Sequence, residues 1–374
     1  MIDKYVHQNK TKIFACFIDF QKAFDSIWHN GLFFKLLETG KGGKTFKIIK
    51  TMYSNNKCAI RIGNKHTEFF SQERGVRQGC PLSPTLFNIY INELANTIQH
   101  SAGPGLALQD TEVKCLLYAD DLVLLSPSKE GLQHHMDKVA NFCQTWALKM
   151  YPKKTKVLVF RKRSRLQGNT DNFKIGNTKI DQTCNYTYLG ITFTSTGNLG
   201  LAAKELKEKA KRAFYAIKRS IKLDIPIRIW LKIFKSVIEP IALYGCEVWG
   251  PATKGDFSKW DKHPTEALHA EFCKSILQVQ RKTLNNVCRA ELGQYPLIID
   301  IQNRAVKFWQ HLKMSNPHSL HYQALKCQEL NIGRSPLTQL VLRLSDLPPN
   351  HITEAQDNDS VARKIRPNQI ANCK

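Results

Sequence analysis

Asp120 and Asp121 are adjacent aspartates between two short apolar segments, residues 116–119 and 122–125. Each segment has the length and composition of a buried strand, and no Gly or Pro separates them. A carboxylate beside apolar strands is costly unless it is paired or holds a cation. Two such groups in succession therefore favour a site for a metal ion or a basic ligand. Taken alone, the pair is far more often an acidic, solvated hairpin tip, because so short a match frequently arises by chance.

A third carboxylate, Asp19, follows a mostly apolar run at residues 12–18, and the pattern after it is helical. Asp19 is therefore expected at the C-terminal end of a strand, where ligand sites in mixed sheets gather. Asp25 and His29 are four residues apart on the predicted helix and are expected to pair with each other in a structural role. By composition alone, Phe24 is a core aromatic.

Residues 74–84 form a basic loop with two glycines, two prolines and two arginines, and a helical pattern follows it. Ser83 is predicted to cap this helix, with Pro84 at its first position. Such a loop offers backbone N–H groups and positive charge to a phosphate. An ordinary helix-start loop is the alternative, and the loop by itself does not decide between them.

The order of the remaining elements predicts a split β-α-β core in which Asp19 and the Asp120-Asp121 tip converge on one edge. A helix over residues 44–53 and two short strands, near 58–62 and 66–70, precede the basic loop. The apolar stripe of a helix follows the hairpin, and residues 157–160 form the next strand. The stripe consists of Leu132, Met136, Val139, Phe142 and Trp146.

Residues 186–193 predict another hairpin, with Gly190 inside it. From Leu206 a helix is predicted to bury Ala210, Ala213, Phe214, Ile217 and Ile221. Its basic residues lie largely off that stripe: Lys204, Lys207, Lys211, Arg212, Lys218 and Arg219. A basic helix face is usually solvated, and in a basic chain it is also a candidate rail for a phosphate backbone. The pattern is helical again after Pro226 and from 266 to 325.

The chain has 374 residues and a net charge of +24, which predicts two or three domains and an anionic partner, nucleic acid first and an anionic membrane surface second. No apolar run reaches the roughly 18 residues that span a bilayer, and the start is unlike a signal peptide. We therefore expect a soluble intracellular protein, nuclear or cytoplasmic, without membrane association.

The 11 cysteines lack a C-x-x-C pair and indicate reduced thiols. His318, His321 and Cys327 lack a fourth ligand at zinc spacing.

Five motifs in order resemble those of reverse transcriptases from LINE-type (non-LTR) retrotransposons, with a jockey-like element among the candidates. They are FIDFQKAFD at residues 17–25, RQGCPLSP at 77–84, YADD at 118–121, KTK at 154–156 and YLGI at 188–191. Any one of them is a weak signal, but five in family order leave little room for chance.

The resemblance implies an α+β fold with a right-hand polymerase palm, then a mostly helical thumb and a C-terminal helical region. The implied domains are a palm at 1–165 with the fingers largely missing, a primer-grip hairpin and thumb at 166–250, a linker at 251–265, helices at 266–344 and a polar tail at 345–374. Only 18 residues precede Asp19, whereas related polymerases have fingers there, so the chain resembles an N-terminally truncated member. Tyr151 stands where the family usually has an asparagine.

The resemblance also implies site residues and partners: an RNA template, a DNA primer and dNTPs. The metal ligands would be Asp19, Asp120 and Asp121, which hold two Mg²⁺ ions, with Mn²⁺ as the alternative. Lys154 would act on the departing pyrophosphate. Nucleotide contacts would come from Phe20, Phe24, Arg77, Gln78 and Gly79, with Phe24 excluding a 2′-hydroxyl, and the primer grip from Tyr188, Leu189 and Gly190.

Three hypotheses follow from this pattern. The first is an RNA-directed DNA polymerase domain with its aspartates intact. The second is a catalytically inactive remnant that binds nucleic acid. An intron-encoded maturase shares the palm but needs a splicing region that no segment here resembles. Template, insertion target, oligomeric state and the role of residues 266–344 stay open.

Overall fold

The structure is a computed structural model that describes residues 2–54, 56–162, 172–221, 225–251, 260–330 and 335–345. The chain divides into two compact units, Met1–Gly197 and Asn198–Lys374. Two predicted segments lie partly or almost wholly outside the described residues: the linker at 251–265 and the tail at 345–374. The domain boundaries given above stay predictions.

The first unit combines short strands with five α-helices and one π-helical segment, Asp3–Gln8. The helices are α1 (Ala23–Ser26), α2 (His29–Glu38), α3 (Gly43–Tyr53), α4 (Ser83–Gln99) and α5 (Lys129–Thr145). The strands are β1 (Ile13–Ile18), β2 (Lys57–Cys58), β3 (Arg61–Ile62), β4 (Lys65–His66), β5 (Phe70–Ser71), β6 (Leu106–Leu108), β7 (Thr111–Val113), β8 (Cys115–Tyr118), β9 (Asp121–Ser126), β10 (Lys156–Phe160), β11 (Phe173–Ile175), β12 (Thr178–Ile180), β13 (Gln182–Thr183), β14 (Asn185–Tyr188) and β15 (Ile191–Thr194).

The main sheet has the strand order β13-β10-β1-β9-β8, with β1 in the middle. All six residues of β1 are buried, which explains why its sequence is a continuous apolar run and not an alternating one. β1 pairs antiparallel with β10 and β9, whereas β10 pairs parallel with β13. The predicted α+β class, the strand before Asp19 and the hairpin of residues 116–125 are confirmed.

Helix α5 packs on β1 and β9, and α4 packs on α5 and β8. Ser128 caps α5 because its side chain accepts a hydrogen bond from the Gly131 N–H. Four members of the predicted stripe are buried: Leu132, Met136, Val139 and Phe142. Trp146 follows the last turn of α5 and meets the ring of Tyr90 edge-on. The stripe is therefore core packing, as predicted.

The segment of residues 57–71 differs from the prediction of two strands. Each predicted strand is split in two, so that β2 pairs with β5 and β3 with β4. Between these pairs the Thr67 hydroxyl accepts from the Ile60 N–H at 2.9 Å, where a ladder would use a carbonyl. The ladder is therefore interrupted by a side-chain contact, which the periodicity of the sequence does not reveal.

Every described element of the second unit is helical. These elements are α6 (Gly200–Ser220), α7 (Ile227–Ile233), a π-helical segment (Phe234–Ile238), α8 (Glu239–Ala242), α9 (Cys246–Trp249) and the helices Pro264–Ile276, Asn285–Glu291, Ile298–Lys313, Leu320–Glu329 and Pro336–Ser345. None of the described helices is both long and apolar enough to cross a bilayer. The ten cysteines in the described part of the chain are all free thiols.

Helix α6 begins six residues before the predicted start at Leu206, because Ala202 and Ala203 extend its buried face. The Asn198 side chain accepts from the Gly200 N–H at 2.7 Å where the helix begins. Leu206, Ala210 and Phe214 complete the buried side, whereas the predicted members Ala213, Ile217 and Ile221 are only half-buried. The buried stripe therefore lies closer to the N-terminus of the helix than predicted.

A fully buried carboxylate, Glu266, organises the helices of the second unit. It forms an ion pair with Arg289, and it accepts from Trp260 Nε1 at 2.8 Å and from the Leu297 N–H at 2.9 Å. Burial raises the pKa of Glu266, but hydrogen bonds and the positive charges of His269 and Arg289 outweigh this and hold the pKa below its usual value. A buried ion of this kind requires all of its partners.

Candidate active site

Asp19 and Asp121 are neighbours where two inner strands of the main sheet, β1 and β9, end and begin. β1 ends immediately before Asp19, β9 begins at Asp121, and the two strands are antiparallel. Their register pairs Ile18 with Leu122, so the next pair is Asp19 with Asp121. The predicted convergence of the aspartates on one edge is therefore confirmed, although these residues are about 100 positions apart in the sequence.

Asp120 lies in the two-residue turn that joins β8 to β9, where the register pairs Tyr118 with Asp121. The other turn residue, Ala119, has φ +52°. This left-handed conformation costs a non-glycine residue about 1–2 kcal/mol, and such strain gathers at functional sites. Asp120 and Asp121 are both half-buried, unlike the carboxylates of a fully solvated tip.

The three carboxylates repel one another. Burial raises the pKa of Asp121, and the negative charges of Asp120 and Asp19 raise it further, while the charge of Lys154 opposes them. Lys154 Nζ lies 3.6 Å from Asp19 Oδ2, but its side chain is 63% exposed, so water screens this pair. The cluster therefore has excess negative charge.

The turn that follows α5 fixes the main chain of Asp19. The Tyr151 N–H donates to Asp19 O at 2.8 Å, and the Asp19 N–H donates to Thr155 Oγ1 at 3.4 Å. Lys154 N and Thr155 N both donate to Tyr151 O, which closes the turn and orients Lys154 toward the aspartates. Thr155 is fully buried. The sequence pattern identified Lys154 and did not reveal that Thr155 anchors Asp19.

The donor set fits a divalent metal in its chemistry. Mg²⁺ prefers carboxylate oxygens, and a cation here would relieve the repulsion that raises the pKa of Asp121. Within the described ranges, no three His, Cys, Asp or Glu side chains converge closely enough to form a ready-made metal site. The aspartates therefore suit a divalent metal by their ligand type and their charge, and not by a preformed coordination geometry.

The loop of residues 73–78 is docked on the segment 24–29. The docking contacts are Gly75 N to Ile27 O at 2.8 Å, Val76 N to Phe24 O at 2.9 Å, and His29 Nε2 with Gly75 O at 2.8 Å. Gly75 has φ +90°, and a Cβ at this position would lie 2.9 Å from Asp25 O and 3.0 Å from Asp25 Cα. Both the conformation and the close approach therefore require glycine.

Phe24 is half-buried, and its ring stacks on that of Phe87 with centroids 4.5 Å apart and an interplanar angle of 22°. The Phe87 ring is fully buried in the core, so it fixes the orientation of Phe24. Phe24 therefore belongs to the core on one side, as its composition predicts, and keeps an accessible side as well.

The residues of the RQG motif face different directions. Arg77 Nη2 donates to Met52 O at 2.8 Å, so the guanidinium lies against the end of α3. Gln78 is exposed, and its Nε2 donates to Asp25 Oδ1 at 2.9 Å. Gly79 has φ +78° and open space where a Cβ would lie.

The prediction that Asp25 and His29 pair is wrong. α1 ends at Ser26 and α2 begins at His29, so the two residues do not share one helix face. His29 is buried against Gly75 O, whereas Asp25 is exposed and accepts from Gln78.

The prediction that Ser83 caps α4 is also wrong. Ser83 is the first residue of the helix, and Leu82 occupies the cap position without a side-chain bond. The Ser83 hydroxyl donates instead to Arg77 O at 2.6 Å. Ser83 therefore ties the helix start to the loop before it and does not cap the helix, and Pro84 follows in the first turn.

The predicted hairpin is formed by β14 and β15, and it lies close enough to the aspartates for its tyrosines to feel their charge. Leu189 and Gly190 form its turn with φ +47° and +79°. Burial and then the charge of Asp121 raise the pKa of Tyr188 to about 12. The Tyr188 ring lies 5.5 Å from that of Phe17.

Tyr186 is a second aromatic residue of this hairpin, and no role at the site was predicted for it. Its ring stacks on Phe17 at 4.4 Å. Burial, followed by the charges of Asp19 and Asp121, raises its pKa to about 12. Alternation along β14 puts Tyr186 and Tyr188 on one face, and this alternation is the signal that could have identified Tyr186. Phe20, by contrast, is buried, and its main chain bridges to Met150.

Residues 2–193, half of the chain, match the family described as reverse transcriptase (RNA-dependent DNA polymerase). The chain belongs to the reverse transcriptase family. It is 28% identical over 268 residues to "Probable RNA-directed DNA polymerase from transposon BS" of Drosophila melanogaster, covering 68% of this chain and 28% of that protein. It is 25% identical over 323 residues to "RNA-directed DNA polymerase from mobile element jockey" of Drosophila melanogaster, covering 84% of this chain and 33% of that protein.

The predicted LINE-type affiliation is thereby confirmed. The chain spans about a third or less of the length of these two relatives, since it covers 28% and 33% of them. Among solved structures, it is similar to "Structure of telomerase from Candida Tropicalis in complexe with TWJ fragment of telomeric RNA", with a TM-score of 0.40, 13% identity and coverage of 86% of this chain and 49% of that one.

Proposed function

We propose that this reverse transcriptase domain of a LINE-type element is an active RNA-directed DNA polymerase that transfers dNTPs to a primer 3′-OH. The observation that carries the proposal is the pairing of Asp19 with Asp121 at the sheet edge, with Asp120 in the adjoining turn. Burial, and after it the negative charges of Asp120 and Asp19, raise the pKa of Asp121, and a divalent cation would neutralise that excess charge.

Asp19, Asp120 and Asp121 would hold the metal, which we propose to be Mg²⁺, with Mn²⁺ as the alternative. Two metal ions held by these carboxylates would supply the positive charge that stabilises an in-line phosphoryl transfer. The turn at Tyr151 fixes the main chain of Asp19, and this keeps one ligand in place. Lys154 is exposed beside Asp19 and is free to reach the departing pyrophosphate, to which it donates a hydrogen bond or a proton.

The nucleotide side of the site consists of Phe24 and the loop of Gln78 and Gly79. Phe24 lies beneath the sugar, and its ring, held by Phe87, excludes a 2′-hydroxyl. Gln78 and Gly79 are exposed and contact the incoming nucleotide and the template. Arg77 supports the loop through Met52, and Phe20 borders the site through its main chain.

The hairpin of Tyr188, Leu189 and Gly190 holds the primer end next to the aspartates. Helix α6 belongs to the thumb, where exposed basic residues such as Lys204 and Arg212 follow the duplex backbone. The partners in this proposal are an RNA template, a DNA primer and dNTPs.

The second candidate function is a remnant that binds nucleic acid without catalysis. The net charge of +24 favours phosphate binding in either case. Charge therefore does not separate the two functions, whereas the three aspartates do.

The test compares primer extension on an RNA template, with dNTPs and Mg²⁺, between the chain and its Asp120→Asn, Asp121→Asn double variant. Asp110→Asn, an exposed aspartate in the turn between β6 and β7, is the matched control. Fluorescence anisotropy with a labelled primer-template measures binding at low and high salt. We expect extension by the parent and the control alone, and binding by all three. Binding without extension by any of them supports the remnant.

A further inference from the structure

A hydrogen bond between Asp25 and Gln78 joins two of the five motifs. Asp25 is the last residue of FIDFQKAFD, and Gln78, 53 positions later, is the second residue of RQGCPLSP. Gln78 Nε2 donates to Asp25 Oδ1 at 2.9 Å. Because an ionised carboxylate only accepts hydrogen bonds, the NH₂ end of the Gln78 amide must face Asp25. The amide oxygen of Gln78 and the second N–H of its Nε2 therefore point away from Asp25. One contact therefore sets the orientation of the whole amide group.

Asp25 is held more firmly than Gln78. Its N–H donates to Lys22 O at 2.9 Å in the first turn of α1, and Gly75 approaches its main chain closely. Gln78, in contrast, is exposed on a side chain with three rotatable bonds before the amide. The short Asp25 side chain on a held main chain therefore restricts the longer Gln78 side chain more than the reverse.

The loop itself does not need this bond for its position. Residues 73–78 are already docked on the segment 24–29 by main-chain hydrogen bonds from Gly75 and Val76 and by the side chain of His29. The Asp25 contact adds an orientation to Gln78 and contributes little further anchoring to the loop.

We propose that Asp25 is a positioning residue that orients the Gln78 amide toward the incoming nucleotide. The role rests on the proposed function, in which Gln78 contacts that nucleotide. It gives Asp25, the last residue of the FIDFQKAFD motif, a task distinct from that of Asp19. Pre-orientation lowers the entropy lost when the nucleotide binds, so its effect falls on the KM for the dNTP.

Steady-state incorporation of a single dNTP tests this role. Asp25→Ala is expected to raise the KM for the dNTP about fivefold to tenfold with kcat nearly unchanged, as for one charge-assisted hydrogen bond at an exposed site. Asp25→Asn keeps an accepting oxygen and is expected to restore most of the parent KM. Asp110→Ala is the matched control and is expected to behave like the parent.

The double variant separates positioning from a general structural role. If Asp25 acts through Gln78, Asp25→Ala adds nothing to the effect of Gln78→Ala, so the double variant matches the Gln78→Ala single variant. The proposal is overturned if the KM increases of the two single variants multiply in the double variant. It is also overturned if Asp25→Ala leaves the KM unchanged.

A readout that needs no activity completes the test. The side-chain NH₂ resonances of Gln78, assigned in ¹⁵N spectra of the full chain by their loss in Gln78→Ala, are expected to shift in Asp25→Ala and to stay in place in Asp110→Ala. Resonances that do not move in Asp25→Ala overturn the positioning role. A parent chain that extends no primer overturns the proposed function instead, so the two failures are distinguishable.

Discussion

Replacing Gly75 with alanine is expected to destabilise the first unit by about 3 kcal/mol. The conformation at φ +90° costs an alanine about 1–2 kcal/mol. The new Cβ would lie 2.9 Å from Asp25 O, a main-chain atom held within α1, so the loop must move away. That movement weakens the hydrogen bonds from Gly75 N to Ile27 O and from Val76 N to Phe24 O, at about 1 kcal/mol in total or somewhat more.

Thermal unfolding followed by circular dichroism measures the effect. For a unit of this size the expected fall in Tm is about 6–12 °C. Gly176→Ala is the matched control because Gly176 also has a positive φ, +55°, and nothing lies within 4 Å of the point that its Cβ would occupy. Only the conformational cost applies there, so its Tm is expected to fall by about half as much. Equal losses in the two variants would show that the close approach to Asp25 contributes nothing.

Three further variants test other parts of the structure. Asp121→Asn is expected to raise the free energy of unfolding of the first unit, and with it the Tm, at neutral pH, because burial and then the charges of Asp120 and Asp19 raise the pKa of Asp121 and disfavour its ionised form in the folded state. The gain is expected to shrink as the pH falls through that pKa, and a gain that persists in acid contradicts the reasoning. Phe24→Ala is expected to lower the preference for dNTPs over rNTPs in kcat/KM by about tenfold or more, since the wall beneath the sugar is removed. Glu266→Gln removes the buried one of the two carboxylates that pair with Arg289 and leaves only Asp261 as its counter-charge. It is expected to cost about 1–3 kcal/mol in denaturant unfolding, whereas the exposed Glu291→Gln is expected to change little.

The parts of the site that follow from continuous apolar runs could be predicted from the sequence. β1 and β9 are long enough and apolar enough to be recognised, and the acids at their ends locate Asp19 and Asp121. Once the strands are antiparallel neighbours, their register fixes the pair of aspartates. The aromatic and apolar residues of 186–193 predict the hairpin of β14 and β15 in the same way.

The contacts that hold these residues in place could not be predicted from the sequence. Thr155 anchors Asp19 across 136 residues and Asp25 contacts Gln78 across 53, and no local pattern encodes such pairs. Ser83 matches a cap by residue type, but the helix begins at Ser83 itself, so Leu82 holds the cap position and the Ser83 hydroxyl donates to Arg77 O. Thr67 interrupts a ladder that alternation alone would continue.

The most direct test of the central claim is extension of a DNA primer by one nucleotide on an RNA template, by the parent chain and by Asp19→Asn, with Mg²⁺ and with EDTA. We predict extension by the parent only with Mg²⁺, and a loss of about 10³-fold or more in Asp19→Asn, because a metal ligand and its charge are removed together. Extension by Asp19→Asn at the parent rate would contradict the claim, since the carboxylates at the sheet edge would then not be the catalytic groups.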